Sequence, residues 1–110
     1  MSEQSRRALY RVTYPLVERP TLQVGRYLYE VVDCSERGLR YEVHDNRLPT
    51  LGTILGGELQ FRRGVEVAIS GEVIRLRGGL VVLALDPPLP FAEVLAEQRY
   101  LRSKGYTLRE

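Results

Sequence analysis

Apolar and polar residues alternate through most of this chain, and that period of two restricts it to a sheet with one buried face. In LRYEVH, Leu39, Tyr41 and Val43 point one way while Arg40, Glu42 and His44 point the other, because successive side chains leave a strand on opposite faces. ELQFR repeats the pattern with Leu59 and Phe61 inward, and VEVAIS repeats it with Val65, Val67 and Ile69. Upstream, RYLYEVVD is rich in β-branched and aromatic residues, which suit a pleated, half-buried surface. Downstream, GEVIRL and LVVLAL flank Arg77-Gly78-Gly79, which reads as a hairpin turn. The uninterrupted apolar run from Leu80 to Leu85 reads as a strand buried on both faces. Roughly five to seven short strands in succession argue for a small antiparallel barrel or sandwich.

The period changes towards the C-terminal end. PFAEVLAEQRYLRSKG sets Phe91, Val94, Leu95 and Leu101 on one helical stripe, interrupted by Gln98. Pro90 suits the first helical position and Gly105 a left-handed stop. Glu93 falls near the positive end of the helix dipole, with Arg99, Arg102 and Lys104 near its negative end. A helix over 90–104 is expected to close one mouth or side of the barrel through that stripe, core packing being favoured over a partner-binding role. The barrel is expected over 13–86 and a flexible arm over 1–12, where little apolar content beyond Leu9 and Tyr10 is available to offset the entropy of ordering. At 110 residues the whole chain is expected to be one domain standing alone.

Composition narrows the chemistry. Cys34 is the one cysteine, which excludes an intrachain disulfide or a zinc cluster and fits a reducing, cytoplasmic setting. No apolar run approaches the roughly 20 residues that span a bilayer, and MSEQSRR has no apolar core of a secretory signal. His44 is the one histidine and falls on the polar face of a strand. The chain offers no Ser/His/Asp set with a base, no histidine pair for a metal and no phosphate-cradling GxxxxGK loop, so it is expected not to be an enzyme and to carry no cofactor. Glu58, Glu66 and Glu72 sit at outward positions that solvation explains. The net charge is only +2, yet 16 residues are cationic and all but Lys104 are arginine. Arginine presents a planar fork that suits guanine edges and phosphates, which lysine does not.

Two stretches stand apart from the strand pattern. SRRALYR carries Arg7 and Arg11 four residues apart, with Arg6 directly before them, in a segment without a helical stripe. Each fork can pair with guanine O6 and N7 or with phosphate oxygens, and can stack on a purine. DCSERG follows at a strand end, with Asp33 and Ser35 two residues apart and so on one face. An aspartate accepts from guanine N1–H and N2–H₂, and a hydroxyl beside it donates or accepts. Gly38 then permits a turn conformation or a close backbone approach. Taken separately, these are a common arginine spacing and an Asx turn closed by glycine.

Together, RxxxR at Arg7–Arg11 and DxSxxG at Asp33–Gly38, followed by a string of strands and a closing helix, resemble the PilZ domain family. The resemblance covers nearly the whole chain, and no position of the paired motif departs from the family pattern. It implies a six-stranded antiparallel β-barrel acting as a receptor for the bacterial second messenger cyclic di-GMP. By this resemblance Arg7 and Arg11 hold guanine and phosphate, Asp33 and Ser35 contact a guanine, and Gly38 allows the approach. Arg6 adds a cation that would suit a self-stacked ligand dimer with its four phosphates. Binding would change the conformation of the arm, and the signal would pass to a protein effector. A small barrel that binds RNA or single-stranded DNA is the alternative, ranked lower because Tyr27, Tyr29 and Tyr41 fall at positions read as core. A protein adaptor without a ligand is the other.

Overall fold

The structure is a computed structural model and describes residues 10–106. Its strands are β1 (Val12–Thr13), β2 (Thr21–Val24), β3 (Tyr27–Cys34), β4 (Gly38–Glu42), β5 (Ile54–Gln60), β6 (Glu66–Arg77) and β7 (Leu80–Leu85). A single 3-10 turn, Leu16–Glu18, joins β1 to β2, and the helix α1 (Phe91–Ser103) follows the last strand. Every pairing is antiparallel. β2 pairs with β3 and β5, β5 with β6, β6 with β7, β7 with β4, and β4 returns to β3. That ring closes a six-stranded barrel and leaves no open sheet edge among its members. β1 is an extra strand that extends along β3 beyond the end of β2.

The inward set follows the alternation. Leu39, Tyr41, Val43, Leu59, Phe61 and Ile69 are buried in one core, while Val65 and Val67 pack against it partly exposed. β7 departs from the expectation of a strand buried on both faces. Val81, Leu83 and Leu85 are buried, but Leu80, Val82 and Ala84 are only half covered. A barrel wall has one interior, and the outer face of β7 is shaded by long neighbours, Val82 lying opposite Arg40 on one side and Arg75 on the other.

The small bore needs small residues where strands crowd. A Cβ added to Gly57 would sit 2.7 Å from the carbonyl oxygen of Gln23 on β2, with Leu22 and Val24 side chains close behind. Its neighbour Gly56 has only the Ile69 carbonyl near that point, at 3.9 Å. Glycine at 57 is therefore required by close backbone approach, and glycine at 56 is not.

Following the strand directions shows which loops share an end. The β3–β4 turn, the β5–β6 turn, the close of β7 and the start of β2 all lie at one end of the barrel, and α1 covers that end. Val94 and Leu101 of α1 enter the core cluster with Val12, Tyr14 and Leu89, while Phe91 and Leu95 are half buried. The helix stops in a Schellman arrangement. Tyr106 N–H donates to the Leu101 carbonyl, Gly105 N–H donates to that of Arg102, and Gly105 takes the left-handed φ of +89°. No described helix is long and apolar enough to cross a membrane.

Polar side chains fasten the helix at its far end. The Tyr100 hydroxyl donates to Glu18 Oε1 at 2.9 Å, and Lys104 Nζ donates to Oε2 at 3.3 Å. The Tyr100 hydrogen bond, and after it the Lys104 ammonium, hold the Glu18 carboxyl below its ordinary 4.5, against the opposing effect of burial.

Two outcomes follow from these contacts. Gly57→Ala should cost about 1–3 kcal/mol through the forced shift of β2 against β5, whereas Gly56→Ala should leave the urea midpoint almost unchanged; equal costs would show that bore crowding does not set the requirement. A carboxyl with a depressed value stabilises the fold above the unfolded value and loses that contribution as pH falls through the folded one. The gap in melting temperature between wild type and Glu18→Gln should therefore be widest near neutrality and close as pH falls below the ordinary carboxylate range. A gap that stays constant would show that the Glu18 charge does not anchor the helix.

Candidate functional site

β3 carries one more residue than its partner β4. Val31 faces Tyr41 and Asp33 faces Arg40, which leaves Val32 without an opposite number. Such a bulge shifts the side-chain parity of the strand. Before it, Val31 points into the core with Tyr41; after it, Cys34 points inward with Leu39, and Asp33 turns to the outer wall with Arg40. The carbonyl of Val32 is not orphaned, because Tyr14 N–H donates to it at 3.0 Å.

β1 brings the end of the arm to the same place. Val12 pairs with Cys34 and Thr13 with Asp33. Val12 is buried with Cys34, and Thr13 is exposed on the outer face. Arg11, two residues before Thr13, lies on that outer face too, and its Nη1 donates to Asp33 Oδ1 at 3.4 Å. Arg40 takes the other oxygen, donating to Asp33 Oδ2 from Nε at 2.7 Å and also from Nη2. The Asp33 side chain is 1% exposed, against 36% for Arg40 and 49% for Arg11. The hydrogen bond to Asp33 raises the Arg40 guanidinium above its usual range.

The DxSxxG turn is tight. Ser35 N–H donates to the Gly38 carbonyl at 2.8 Å, and the Ser35 hydroxyl reaches the same oxygen at 3.5 Å. The turn is stitched to the strand and linker that precede α1, because Leu85 N–H donates to the Arg37 carbonyl and Leu89 N–H to that of Glu36. Gly38 does not supply a turn conformation. It opens β4 with a φ outside the left-handed region, and a Cβ there would make ordinary contacts of 3.6 Å. Of the two readings of Gly38, a turn conformation or a close backbone approach, the first is not used, and what the glycine contributes here is the absence of a side chain on the outer wall.

The structure therefore brings together Arg11, Asp33, Ser35 and Gly38. Arg6 and Arg7 lie outside the described residues. Arg40 is the participant that sequence reasoning missed. Its outward placement was legible, but the bulge that sets Asp33 opposite it was not, since plain alternation from Val31 carries Asp33 inward.

Cys34, between the two acidic and hydroxyl members of the motif, is buried with its Sγ 3.6 Å from the Tyr14 hydroxyl. Burial pushes its thiol up to about 12, which keeps it protonated and chemically quiet. The same hydroxyl donates to Glu97 Oε1 at 2.5 Å, and Arg63 Nε donates to Glu97 Oε2 at 2.5 Å, so a buried polar network joins the residue after β1 and the β5–β6 turn to the helix. His44 is 79% exposed beside Glu42, as its strand position suggested. Tyr41 is buried with the ring of Tyr29 5.2 Å away, and Tyr27 lies half buried under the Arg47 guanidinium at 4.1 Å. Among the described residues, no three His, Cys, Asp or Glu side chains converge in a way that would hold a metal ion.

No family model and no curated protein matches the chain. Its fold is similar to the crystal structure of an uncharacterized Legionella protein, with a TM-score of 0.61 at 18% identity over 86% of this chain and 96% of that one. A likeness at that identity is one of fold.

The burial difference inside the ion pair has a consequence for stability. Arg40→Ala leaves a covered carboxylate with only the long Arg11 contact and should cost about 2–4 kcal/mol. Asp33→Asn keeps an acceptor for Arg40 and leaves two cations that reach water, so it should cost about 1 kcal/mol or less. Urea unfolding of both variants checks the order, and the reverse order would mean that Arg40 is not the group that balances the buried charge.

Proposed function

We propose that this chain is a receptor for cyclic di-GMP that acts by binding rather than catalysis and passes its signal to a protein partner in the cytoplasm. The observation that carries the reading is the β1–β3 pairing, which sets Arg11 of the RxxxR segment against Asp33 of DxSxxG on the outer wall of the barrel. Two motifs far apart in the chain thereby form one patch that holds a guanidinium fork, a carboxylate, a hydroxyl and a bare backbone stretch. Those are the groups that a guanine edge and a phosphate require together. In this reading Arg7 completes the phosphate contacts, Arg6 adds charge for a second nucleotide, and the partner reads the surface made by arm and ligand.

Calorimetric titration with cyclic di-GMP tests the reading, with GTP, the linear dinucleotide and a single-stranded oligonucleotide as controls. Each of Arg7→Ala, Arg11→Ala and Asp33→Ala removes a charge-assisted hydrogen bond and should weaken binding about 10- to 150-fold. Arg62→Ala, whose exposed side chain donates to the Arg19 carbonyl and stands near Glu18, should leave affinity unchanged. Saturation by the oligonucleotide alone, or by none of these, overturns the proposal.

A further inference from the structure

The geometry points to Arg40 as the positioning residue that sets the base specificity of this site, by fixing the Asp33 carboxylate so that Oδ1 alone meets the guanine edge. The inference rests on the cyclic di-GMP reading above and adds to it a residue outside both motifs.

The two oxygens of Asp33 are engaged differently. Oδ2 accepts from both Nε and Nη2 of Arg40, which fills its in-plane lone pairs. Among the described residues, Oδ1 has only the Arg11 contact at 3.4 Å, a long one from a side chain 49% exposed. The contact is long and its guanidinium half exposed, while Arg40 still compensates the covered carboxylate, so Arg11 can leave Oδ1 for a ligand oxygen. Oδ1 then offers two lone pairs to the N1–H and N2–H₂ donors of a guanine. Two guanidiniums on one carboxylate thus have different tasks, Arg40 staying and Arg11 exchanging.

Arg40 itself is well placed to stay. It faces Asp33 directly in the β3–β4 register, and β4 is held on its other side by β7. A carboxylate whose plane is held in this way presents a fixed acceptor direction, and discrimination between bases depends on that direction. Without Arg40 the carboxylate can turn, and Arg11 is drawn to the uncompensated charge instead of to the ligand.

The test compares cyclic di-GMP with cyclic di-IMP, which lacks the exocyclic amino group and keeps the phosphates and N1–H. Wild type should prefer cyclic di-GMP by about tenfold or more, the worth of one hydrogen bond to a charged acceptor. Arg40→Gln should weaken cyclic di-GMP by at least that factor and cut the preference to about two- or threefold. Arg40→Lys, which keeps the charge and a single contact, should fall between, and it decides the matter if Arg40→Gln does not fold, as judged by its unfolding midpoint. Asp33→Asn should erase the preference as well. Equal weakening of both ligands by the Arg40 variants, or an unchanged preference, overturns the proposal and leaves the receptor reading standing. If wild type binds neither dinucleotide, the receptor reading falls and this inference falls with it.

Discussion

One unpaired residue in β3 decides the character of the outer wall. Without the bulge at Val32, the alternation that turns Val31 into the core would turn Asp33 inward too, with its carboxylate aimed into an apolar bore. The bulge sends Asp33 out to Arg40 and brings Cys34, a small apolar-compatible side chain, into the core in its place. It also leaves a carbonyl that Tyr14 N–H takes, and so ties the strand after the arm to the strand that carries the motif. The local break in the ladder is thereby compensated within a few residues. The cost of an extra residue is offset by a charge that is paired rather than desolvated alone.

The end of the barrel beneath this site is unusual in being closed by polar as well as apolar groups. Leu101, Val94 and Leu89 supply the apolar seal, but between them Glu97 is 1% exposed and shared by Tyr14 and Arg63. Burial pushes the Glu97 carboxyl up, while the Tyr14 hydroxyl and the Arg63 guanidinium pull it back. Arg63 also reaches Glu93 one turn earlier, so a single cation from the β5–β6 turn spans two acids of α1. Such a network specifies one docking angle for the helix, because a slid or rotated helix would leave a buried acid without its partners. The DxSxxG turn is bonded to the linker before that helix, so site and helix belong to one rigid end of the molecule.

The barrel was legible because most strands keep one side to the core, and Leu39, Tyr41, Leu59, Phe61 and Ile69 follow the period without interruption. The helix was legible too, from Val94 and Leu101, though its buried face proved wider and more polar than the stripe, with Glu97 and Gln98 inside it. β7 was misjudged because an all-apolar strand gives no period, and only its neighbours show which face is shaded. The site was half legible. Asp33, Ser35, Gly38 and Arg11 could be picked out by residue type and spacing, but Arg40 could not, because its role depends on a register shift that leaves no trace in composition. Bulges are set by the packing of two strands and a neighbour, here Tyr14, and not by the bulged residue alone.

The charge count at the site explains how a chain with a net charge of only +2 can present a positive surface. Asp33 is bracketed by two guanidiniums, so the cluster holds two basic side chains to one acidic one. Three other arginines stand against acids. Arg19 sits between Glu30 and Glu42, Arg63 between Glu93 and Glu97, and Arg47 beside Asp45. The field of the excess at Asp33 is felt over roughly a Debye length, about 8–10 Å at physiological salt, and Arg75 stands next along the wall beyond Val82. A compact dianion fits within that range, whereas a long polyanion needs a basic track extending beyond it. On the proposed reading the distribution of charge matters more than its sum, because the cluster at Asp33 is what a small anionic ligand would meet.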